Sequence, residues 1–272
     1  MGRGGAAVAL VVNGDDFGYD DAINAAIVRC HREGALTSAT LLVNRPASAA
    51  ALALARQSPA LGLGLHLNLT EGCPVAPPDE VASLLDRRGR FRPFPAQLGR
   101  VVSGRARPEE IERELGAQFA WLAARGVRPT HVDGHHHVHA YPGVLPVVLR
   151  LMAEYDVRAL RSPLLTAWLP LSLARPGARG WRAALLARRG VARADALLDA
   201  GLLTRRADPV GATVRAVAGS GAGVVELMAH PAWNRDTDVG AAQVRLLTDP
   251  RLRPALARAD VRLVRYDDVA AG

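Results

Sequence analysis

Hydrophobic and polar positions along the chain predict repeated units of a strand followed by a helix. Val8–Val12 is a continuous apolar run, typical of a strand covered on both faces, and apolar positions then recur at helical spacing up to Gly34. The same succession returns through the chain, with predicted strands at 8–12, 36–43, 61–70, 130–135, 157–161, 224–228 and 261–265 and predicted helices at 21–33, 47–56, 108–126, 142–155, 181–189, 192–203 and 239–247. This alternation predicts an α/β fold with a mainly parallel sheet, most simply a (β/α) barrel of about seven strands in one domain over residues 1–272.

Two regions interrupt the pattern. Residues 72–107 are rich in Pro, Gly and Arg and show little periodicity, so we expect a long loop over the mouth of the barrel. Residues 163–222 are expected to form a variable, arginine-rich helical insertion, within which residues 210–218 fit either a helix or a strand.

The strand at 61–70 has the clearest alternation of the chain. Its odd positions are all leucine, and its even positions are Gly62, Gly64, His66, Asn68 and Thr70. One face should therefore pack against helices, and the other should line the inside of the barrel near its mouth. A histidine on such a small polar face has little to be buried against, which favours a functional role over a structural one.

Polar residues also gather where other predicted strands end. Asp15 and Asp16 follow the first strand, five of the eight histidines lie within residues 131–139, and His230 follows the strand at 224–228. Active sites of α/β folds form at the carboxyl ends of parallel strands. An aspartate with two histidines is a recurring hydrolytic metal site, compatible with zinc or with harder ions such as magnesium. We therefore predict one metal site assembled from three strand ends.

The residues alone leave the roles within this site open. Asp15 and Asp16 should diverge, so that one can bind the ion while the other takes a proton from water. Asp133 and His135 share one face of their strand, and not all five clustered histidines can bind one ion. The ordinary alternatives are a solvated acidic turn, a weak surface metal tract, and a structural turn histidine at His230, which could otherwise act as the general acid.

Composition and charge narrow the function classes. The chain has 272 residues, of which 49% are hydrophobic and 22% charged, as in a soluble globular protein. Its net charge is +8, but residues 164–206, with eight arginines and two aspartates, carry +6 of this excess. Because only 4% of residues are aromatic and no nucleic-acid-binding module is present, we expect no nucleic-acid partner. All 34 basic residues are arginine, which excludes mechanisms that need a lysine.

Location and assembly follow from weaker signals. The apolar run at 6–12 is shorter than a usual signal-peptide core and no run could span a membrane, so we expect a cytoplasmic protein. Cys30 and Cys73 are too few for a disulfide framework or a thiolate metal site. Leucines and tryptophans around Trp168 and Trp181 could cover the site or contact the second subunit of a homodimer, and the sequence does not separate the two.

Four blocks of the chain resemble the signature blocks of a known family. They are Asn13–Gly18, Gly64–Leu67, Pro129–His139 and Met228–Pro231, and they resemble those of the YdjC-like carbohydrate deacetylases, which include chitooligosaccharide deacetylase. The blocks follow the family's order from about residue 8 to residue 232.

This resemblance implies a distorted (β/α) barrel of the glycoside hydrolase and deacetylase type with one divalent ion, magnesium or zinc. It also implies hydrolysis of N-acetyl groups on an amino sugar or an oligosaccharide, by logic shared with the NodB-type polysaccharide deacetylases. By position, it makes Asp16, His66 and His135 the metal ligands and Asp15 the catalytic base.

The general acid and two departures from the family pattern remain to be assigned. We expect His230 to protonate the leaving amine, with His137 and His139 as alternatives. Gly14 and Gly134 stand where the family commonly has alanine and serine, which leaves the ligands untouched.

Three alternatives stay open. A sugar isomerase or a phosphoesterase on the same barrel is disfavoured by the absent lysine and by the single Asp-His-His set. A metal- or nucleic-acid-binding protein without activity is the second alternative. Because residues 163–222 match the family poorly, a hopanoid-biosynthesis deacetylase acting on a lipid-linked or small-molecule glycoside is the third.

Overall fold

Seven parallel strands form one sheet in the computed structural model, which describes residues 7–161, 186, 190–232 and 238–271. The strands are β1 (Val8–Phe17), β2 (Ser38–Leu41), β3 (Gly62–Leu67), β4 (Val132–Gly134), β5 (Ala196–Asp199), β6 (Val224–Ala229) and β7 (Val261–Leu263). Their order is β4-β3-β2-β1-β6-β5, and β7 pairs with the beginning of β1. Every pairing between these strands is parallel, as predicted.

The sheet curls into a distorted barrel. Val132 of β4 forms an isolated parallel bridge with Leu160, and Ala159 forms another with Ala192. These two bridges are what remains of the strand predicted at 157–161. They connect β4, at one edge of the sheet, to the segment just before β5, at the other edge. Backbone pairing therefore runs almost all the way around the barrel.

Helices cover the outside of the barrel. They are α1 (Asp21–Glu33), α2 (Ser48–Arg56), α3 (Phe94–Val102), α4 (Pro108–Ala123), α5 (Leu145–Glu154), α6 (Ala200–Leu203), α7 (Pro209–Ala218), α8 (Asp238–Leu247), α9 (Leu252–Arg258) and α10 (Tyr266–Ala271), with 3-10 helices at Pro78–Leu84 and His135–Ala140. The side chain of Asp20 accepts a hydrogen bond from the backbone N–H of Ile23 and so caps the beginning of α1. None of the described helices has the length and apolar character that crossing a membrane requires.

Several predicted elements differ from the structure. The predicted helix at 192–203 is wrong over most of its length, because β5 pairs with β6 there and only α6 is helical. The expected loop at 72–107 contains a 3-10 helix and α3, and residues 210–218 belong to helix α7. The helix predicted at 181–189 lies outside the described residues except for residue 186, and Trp168 also lies outside them.

The inside of the barrel is polar, as the alternation of β3 predicts. A Cβ atom at Gly64 would lie 2.5 Å from Cε1 of His131 and 2.7 Å from Cγ2 of Thr40, so only glycine allows these side chains to fill the interior. Ser38 and Glu226 are also completely buried. Buried polar groups need partners, and the site at the mouth of the barrel depends on how these groups pair.

Candidate metal centre

The carboxyl ends of β1, β3 and β4 bring the three predicted metal ligands together. Oδ1 of Asp16 lies 2.9 Å from Nδ1 of His135 and 3.5 Å from Nε2 of His66. One ligand atom from each of the three residues lies within 4.8 Å of the others, so the group could hold a metal ion. Asp16 has a φ angle of 65°, where β1 shifts its register against β2. The acidic pair therefore lies in an irregular part of a strand and not in the predicted turn, and the irregularity turns Asp16 toward the histidines.

The other ring nitrogen of each histidine contacts a carboxylate. Nδ1 of His66 lies 2.6 Å from Oδ1 of Asp133, and Nε2 of His135 lies 3.1 Å from Oε2 of Glu71. Such second contacts fix the tautomer and the ring orientation of a metal-binding histidine. They leave the lone pairs of His66 Nε2 and His135 Nδ1 facing Asp16. Burial lowers the pKa of His66, but the charge and hydrogen bond of Asp133, together with Asp16 and Asp15, more than offset burial and raise this pKa to about 10, so the position attracts positive charge.

The charges around the site fit a divalent cation. Oδ1 of Asp16 is buried and makes no hydrogen bond of acceptable geometry within the described part of the chain. The carboxylates of Asp15, Asp16, Asp133 and Glu226 are all buried, and three of them, those of Asp15, Asp133 and Glu226, pair with the fully buried guanidinium of Arg161. Buried negative charge is costly unless a cation pairs with it. One carboxylate and two imidazoles are a donor set that zinc and related ions accept.

Asp15, the predicted base, is held by a buried arginine. Its two oxygens each lie 2.6 Å from a nitrogen of Arg161, and Oδ1 also accepts a hydrogen bond of 2.9 Å from Nδ2 of Asn13. Oδ2 lies 3.6 Å from Nε2 of His230. Burial raises the pKa of Asp15, but the charge and hydrogen bonds of Arg161, together with the nearby His230, more than offset burial, and the net effect lowers the pKa. Asp15 is therefore ionised at neutral pH, and Oδ2 is the oxygen with room for a further partner.

Arg161 is a site residue that the sequence analysis missed. Its nitrogens lie 2.6–2.8 Å from carboxylate oxygens of Asp15, Asp133 and Glu226. Two signals in the sequence could have found it, because the arginine ends one predicted strand and the glutamate lies inside another that is otherwise apolar. A charged residue in a buried strand needs a partner of opposite charge, and these two residues are partners.

His230 lies at the mouth of the barrel beside Asp15. Its backbone N–H donates a hydrogen bond of 2.7 Å to Oε1 of Gln243, which fixes the turn after β6. The side chain of His230 is 45% exposed. This position lets its ring contact both solvent and Asp15, and its role as the general acid stays a prediction.

The other histidines of the run at 131–139 have different positions. His136 and His137 have φ angles of 51° and 55°, in the left-handed region that non-glycine residues seldom adopt. Both line the cavity that also contains Asp16 and His66, and the ring of His136 lies 5.1 Å from that of Phe94. His131 and His139 are completely buried. Of the two alternative general acids, only His137 thus lines this cavity.

Two open cavities meet at the predicted site. The main cavity has a volume of about 440 Å³, and the rings of Phe94, His136 and Tyr141 form one of its walls. A second cavity of about 350 Å³ shares its lining with the first at Asp15, Asp16, Asp199 and His230. A concave site with an aromatic wall and a few convergent polar groups is typical of small-molecule binding.

Comparison with known proteins agrees with the resemblance. Residues 9–258 match the family model described as YdjC-like protein. The chain is 51% identical to a carbohydrate deacetylase of Brevibacillus brevis over 148 residues, which cover 54% of this chain and 57% of that protein. It is 32% identical to a chitooligosaccharide deacetylase of Enterobacter sp. (strain 638) over 96% of this chain and 98% of that protein. The chain thus matches little more than half the length of the first relative and nearly all of the second.

A solved structure shares the whole architecture. It is that of a protein from Enterococcus faecalis V583 named as a candidate cellobiose-phosphate cleavage protein. The two structures align with a TM-score of 0.82 at 26% sequence identity, covering 97% of this chain and 99% of that one. The arrangement of the strands described above is therefore an established fold.

Proposed function

Because the chain belongs to the YdjC-like protein family, we propose that it is a metal-dependent hydrolase that removes N-acetyl groups from an amino sugar or an oligosaccharide. The observation that carries this proposal is the convergence of Asp16, His66 and His135, with the ionised Asp15 beside them. The names of the relatives, carbohydrate deacetylase and chitooligosaccharide deacetylase, support the reaction and the class of substrate.

The proposed reaction divides its work between a cation and two proton-transfer groups. A divalent ion, magnesium or zinc, held by Asp16, His66 and His135 would act as a Lewis acid toward the acetamide carbonyl and toward water. Asp15 takes one proton from the water molecule that attacks the carbonyl carbon. His230 gives a proton to the sugar nitrogen as the C–N bond breaks, so that acetate and a free amine leave.

The hydrogen bonds of Asp15 identify the oxygen that accepts the proton. Oδ1 accepts from both Asn13 and Arg161, which uses its two acceptor positions. Among the described residues, only Arg161 donates a hydrogen bond to Oδ2, and Oδ2 is the oxygen that lies near His230. Oδ2 therefore has one acceptor position left for a water molecule. Nε2 of His230 lies 3.6 Å from this oxygen, so the proton that Asp15 takes up lies close to the ring that has given one to the amine.

The main cavity supports a carbohydrate substrate. Rings of Phe94 and Tyr141 lie 6.5 Å apart on one wall, and a sugar can place its apolar face against such a wall while its polar groups reach the opposite side. The presence of a second cavity on the other side of Asp15 leaves room for a larger glycoside. A hopanoid-associated deacetylase that acts on a lipid-linked or small-molecule glycoside is therefore the alternative within the family.

Replacing the base tests the proposal. We expect Asp15→Asn to lower the rate of acetate release by roughly 100- to 10,000-fold, the usual contribution of a general base, while the metal content per chain stays near that of the wild type. The matched control is Asp21→Asn, which changes an exposed carboxylate at the beginning of α1. Substrates are N-acetylglucosamine, its β-1,4-linked dimer and N-acetylated glycosides with lipid or small-molecule aglycones.

Two results would contradict the proposal. Acetate release by Asp15→Asn at the wild-type rate would remove Asp15 as the base. Absence of acetate release by the metal-loaded wild type on every substrate of the panel would exclude deacetylation of these sugars. A preference for the lipid-linked or small-molecule glycosides would favour the alternative substrate class.

A further inference from the structure

The carboxylate of Glu71 connects the loops that follow three strands of the barrel. Its Oε2 lies 3.1 Å from Nε2 of His135, which follows β4. Its Oε1 accepts a hydrogen bond from the hydroxyl of Tyr19, which follows β1. Arg45 follows β2, and its Nη1 lies 3.5 Å from Oε1 of Glu71. The guanidinium carbon of Arg45 lies 3.9 Å from the ring centre of Tyr19.

The loop that carries Glu71 is itself held in place by a buried amide. Oδ1 of Asn68 accepts the backbone N–H groups of Thr70 and Glu71, and its Nδ2 donates to the carbonyl oxygen of Glu71. Gln118 of α4 bonds both backbone groups of Asn68, through Oε1 at 3.0 Å and Nε2 at 2.6 Å. Asn68 and Gln118 are both buried. The position of the Glu71 carboxylate is therefore fixed by the fold before any ligand binds.

Glu71 stands behind His135 as Asp133 stands behind His66. Nε2 of His66 faces Asp16 while its Nδ1 is bound to the fully buried Asp133. His135 faces Asp16 through Nδ1, the nitrogen nearer its own backbone, and lies just after β4 in a 3-10 helix instead of a strand. If the Nε2 proton moved to Nδ1, the lone pair would point away from Asp16. A carboxylate that accepts the Nε2 proton prevents this.

We infer that Glu71 is the positioning residue of His135, since it holds the proton on Nε2 and so presents the lone pair of Nδ1 to the cation. This inference rests on the proposed function, because it assumes that Asp16, His66 and His135 bind a metal ion. It assigns to the Asn68–Glu71 loop a role in metal affinity. The rival explanation is that Glu71 only ties Tyr19 and Arg45 together and stabilises the loop.

Zinc binding to the full chain separates these explanations. The probe is Zn²⁺ alone, titrated into metal-free protein in competition with a chromophoric chelator at pH 7.5. Loss of a carboxylate behind a metal-binding histidine typically weakens metal affinity by 10- to 100-fold, and we expect a loss of about this size for Glu71→Ala and a smaller one for Glu71→Gln. Tyr19→Phe, which removes the hydroxyl on Oε1 but leaves the Oε2 contact with His135, should bind Zn²⁺ within about threefold of the wild type.

A second readout reports the coordinating atom directly. ¹⁵N chemical shifts of the zinc-bound imidazoles distinguish Nδ1 from Nε2 coordination, and we expect Nδ1 coordination for His135 in the wild type and a mixture in Glu71→Ala. The unfolding midpoint of each metal-free variant shows how much of its effect is loss of loop stability.

The outcomes distinguish the two proposals. Wild-type zinc affinity with Nδ1 coordination in Glu71→Ala and Glu71→Gln would overturn the positioning role and leave the deacetylase proposal intact. Equal losses of affinity in Tyr19→Phe and Glu71→Ala would also overturn it, because they would assign the effect to the loop as a whole. A wild-type chain that binds no Zn²⁺ would overturn the metal site itself, and the positioning role with it.

Discussion

Replacing Arg161 by methionine should destabilise the fold more than any loss of a surface ion pair. Arg161 is completely buried, and its nitrogens lie within 2.8 Å of oxygens of Asp15, Asp133 and Glu226. Methionine keeps an unbranched chain but leaves three carboxylates without their cation. Removing one partner of a buried ion pair costs about 3–5 kcal/mol. For a chain of this size, such a loss corresponds to a fall of roughly 6–20 °C in the unfolding midpoint.

A matched surface pair provides the control. Nη1 of Arg128 also lies 2.6 Å from a carboxylate oxygen, Oδ2 of Asp156. In this pair, however, the side chains are 66% and 56% exposed. Exposed pairs contribute about 0–1 kcal/mol, so Arg128→Met should move the unfolding midpoint by only a few degrees. Arg161→Lys keeps the charge but places its three N–H bonds on one nitrogen, which cannot reach three carboxylates, and should fall between these values.

Urea unfolding followed by circular dichroism at pH 7.5 measures the free energies of unfolding of all three variants. If Arg161→Met loses no more stability than Arg128→Met, the buried charge cluster does not depend on its arginine and the reasoning fails. The pH dependence offers a further check. Arg161 lowers the pKa of Asp15, so without Arg161 this carboxyl can bind a proton at higher pH, and the stability gap between wild type and variant should shrink in acid.

Two further predictions concern residues that are not among the proposed metal ligands. Burial raises the pKa of Glu114 from 4.5 to about 7 in the folded chain, although Ala76 and Val75 donate backbone hydrogen bonds to it. The free energy of unfolding should therefore fall by roughly 3 kcal/mol as pH rises from about 4.5 to about 7. Urea titrations at pH 5 and pH 8 should show most of this fall in the wild type and a smaller one in Glu114→Gln. Equal free energies of unfolding of the wild type at the two pH values would contradict the prediction. Phe94→Ala should raise KM for the proposed sugar substrate about fivefold with little change in kcat, since an aromatic contact is worth about 1 kcal/mol. The exposed Val102→Ala on the same helix should change neither constant, and a loss confined to kcat would refute the role of Phe94 in binding.

The sequence predicts that Asp16, His66 and His135 lie together because their signals are local. Asp16 and His66 each stand at the end of a clear apolar run, and His135 stands just past another. A parallel sheet places all such ends along one edge, so the topology alone brings the three side chains together. The alternation of β3 likewise predicts which face of that strand lines the barrel.

The partners of these residues carry no comparable local signal. Glu71 contacts His135 across 64 residues of sequence, and Arg161 contacts Asp15 across 146. The sequence predicts a helix where β5 lies because Ala196–Asp199 is rich in alanine and leucine, which favour helices. Pairing with β6 outweighs that weak local preference in the folded chain. Contacts between distant segments decide these features, and a single sequence does not display them.

Asp133 shows why the proposed metal site and the proposed proton-transfer site should respond together to mutation. Its Oδ1 bonds Nδ1 of His66, while its Oδ2 lies 2.8 Å from Arg161, which in turn holds both oxygens of Asp15. Thr40 donates a further hydrogen bond of 3.0 Å to Oδ2. One carboxylate thus orients a predicted ligand and the arginine that keeps the predicted base ionised. Residues that share a partner in this way do not have additive effects, so losses measured for His66 and Asp15 variants should sum to more than the loss in the double variant.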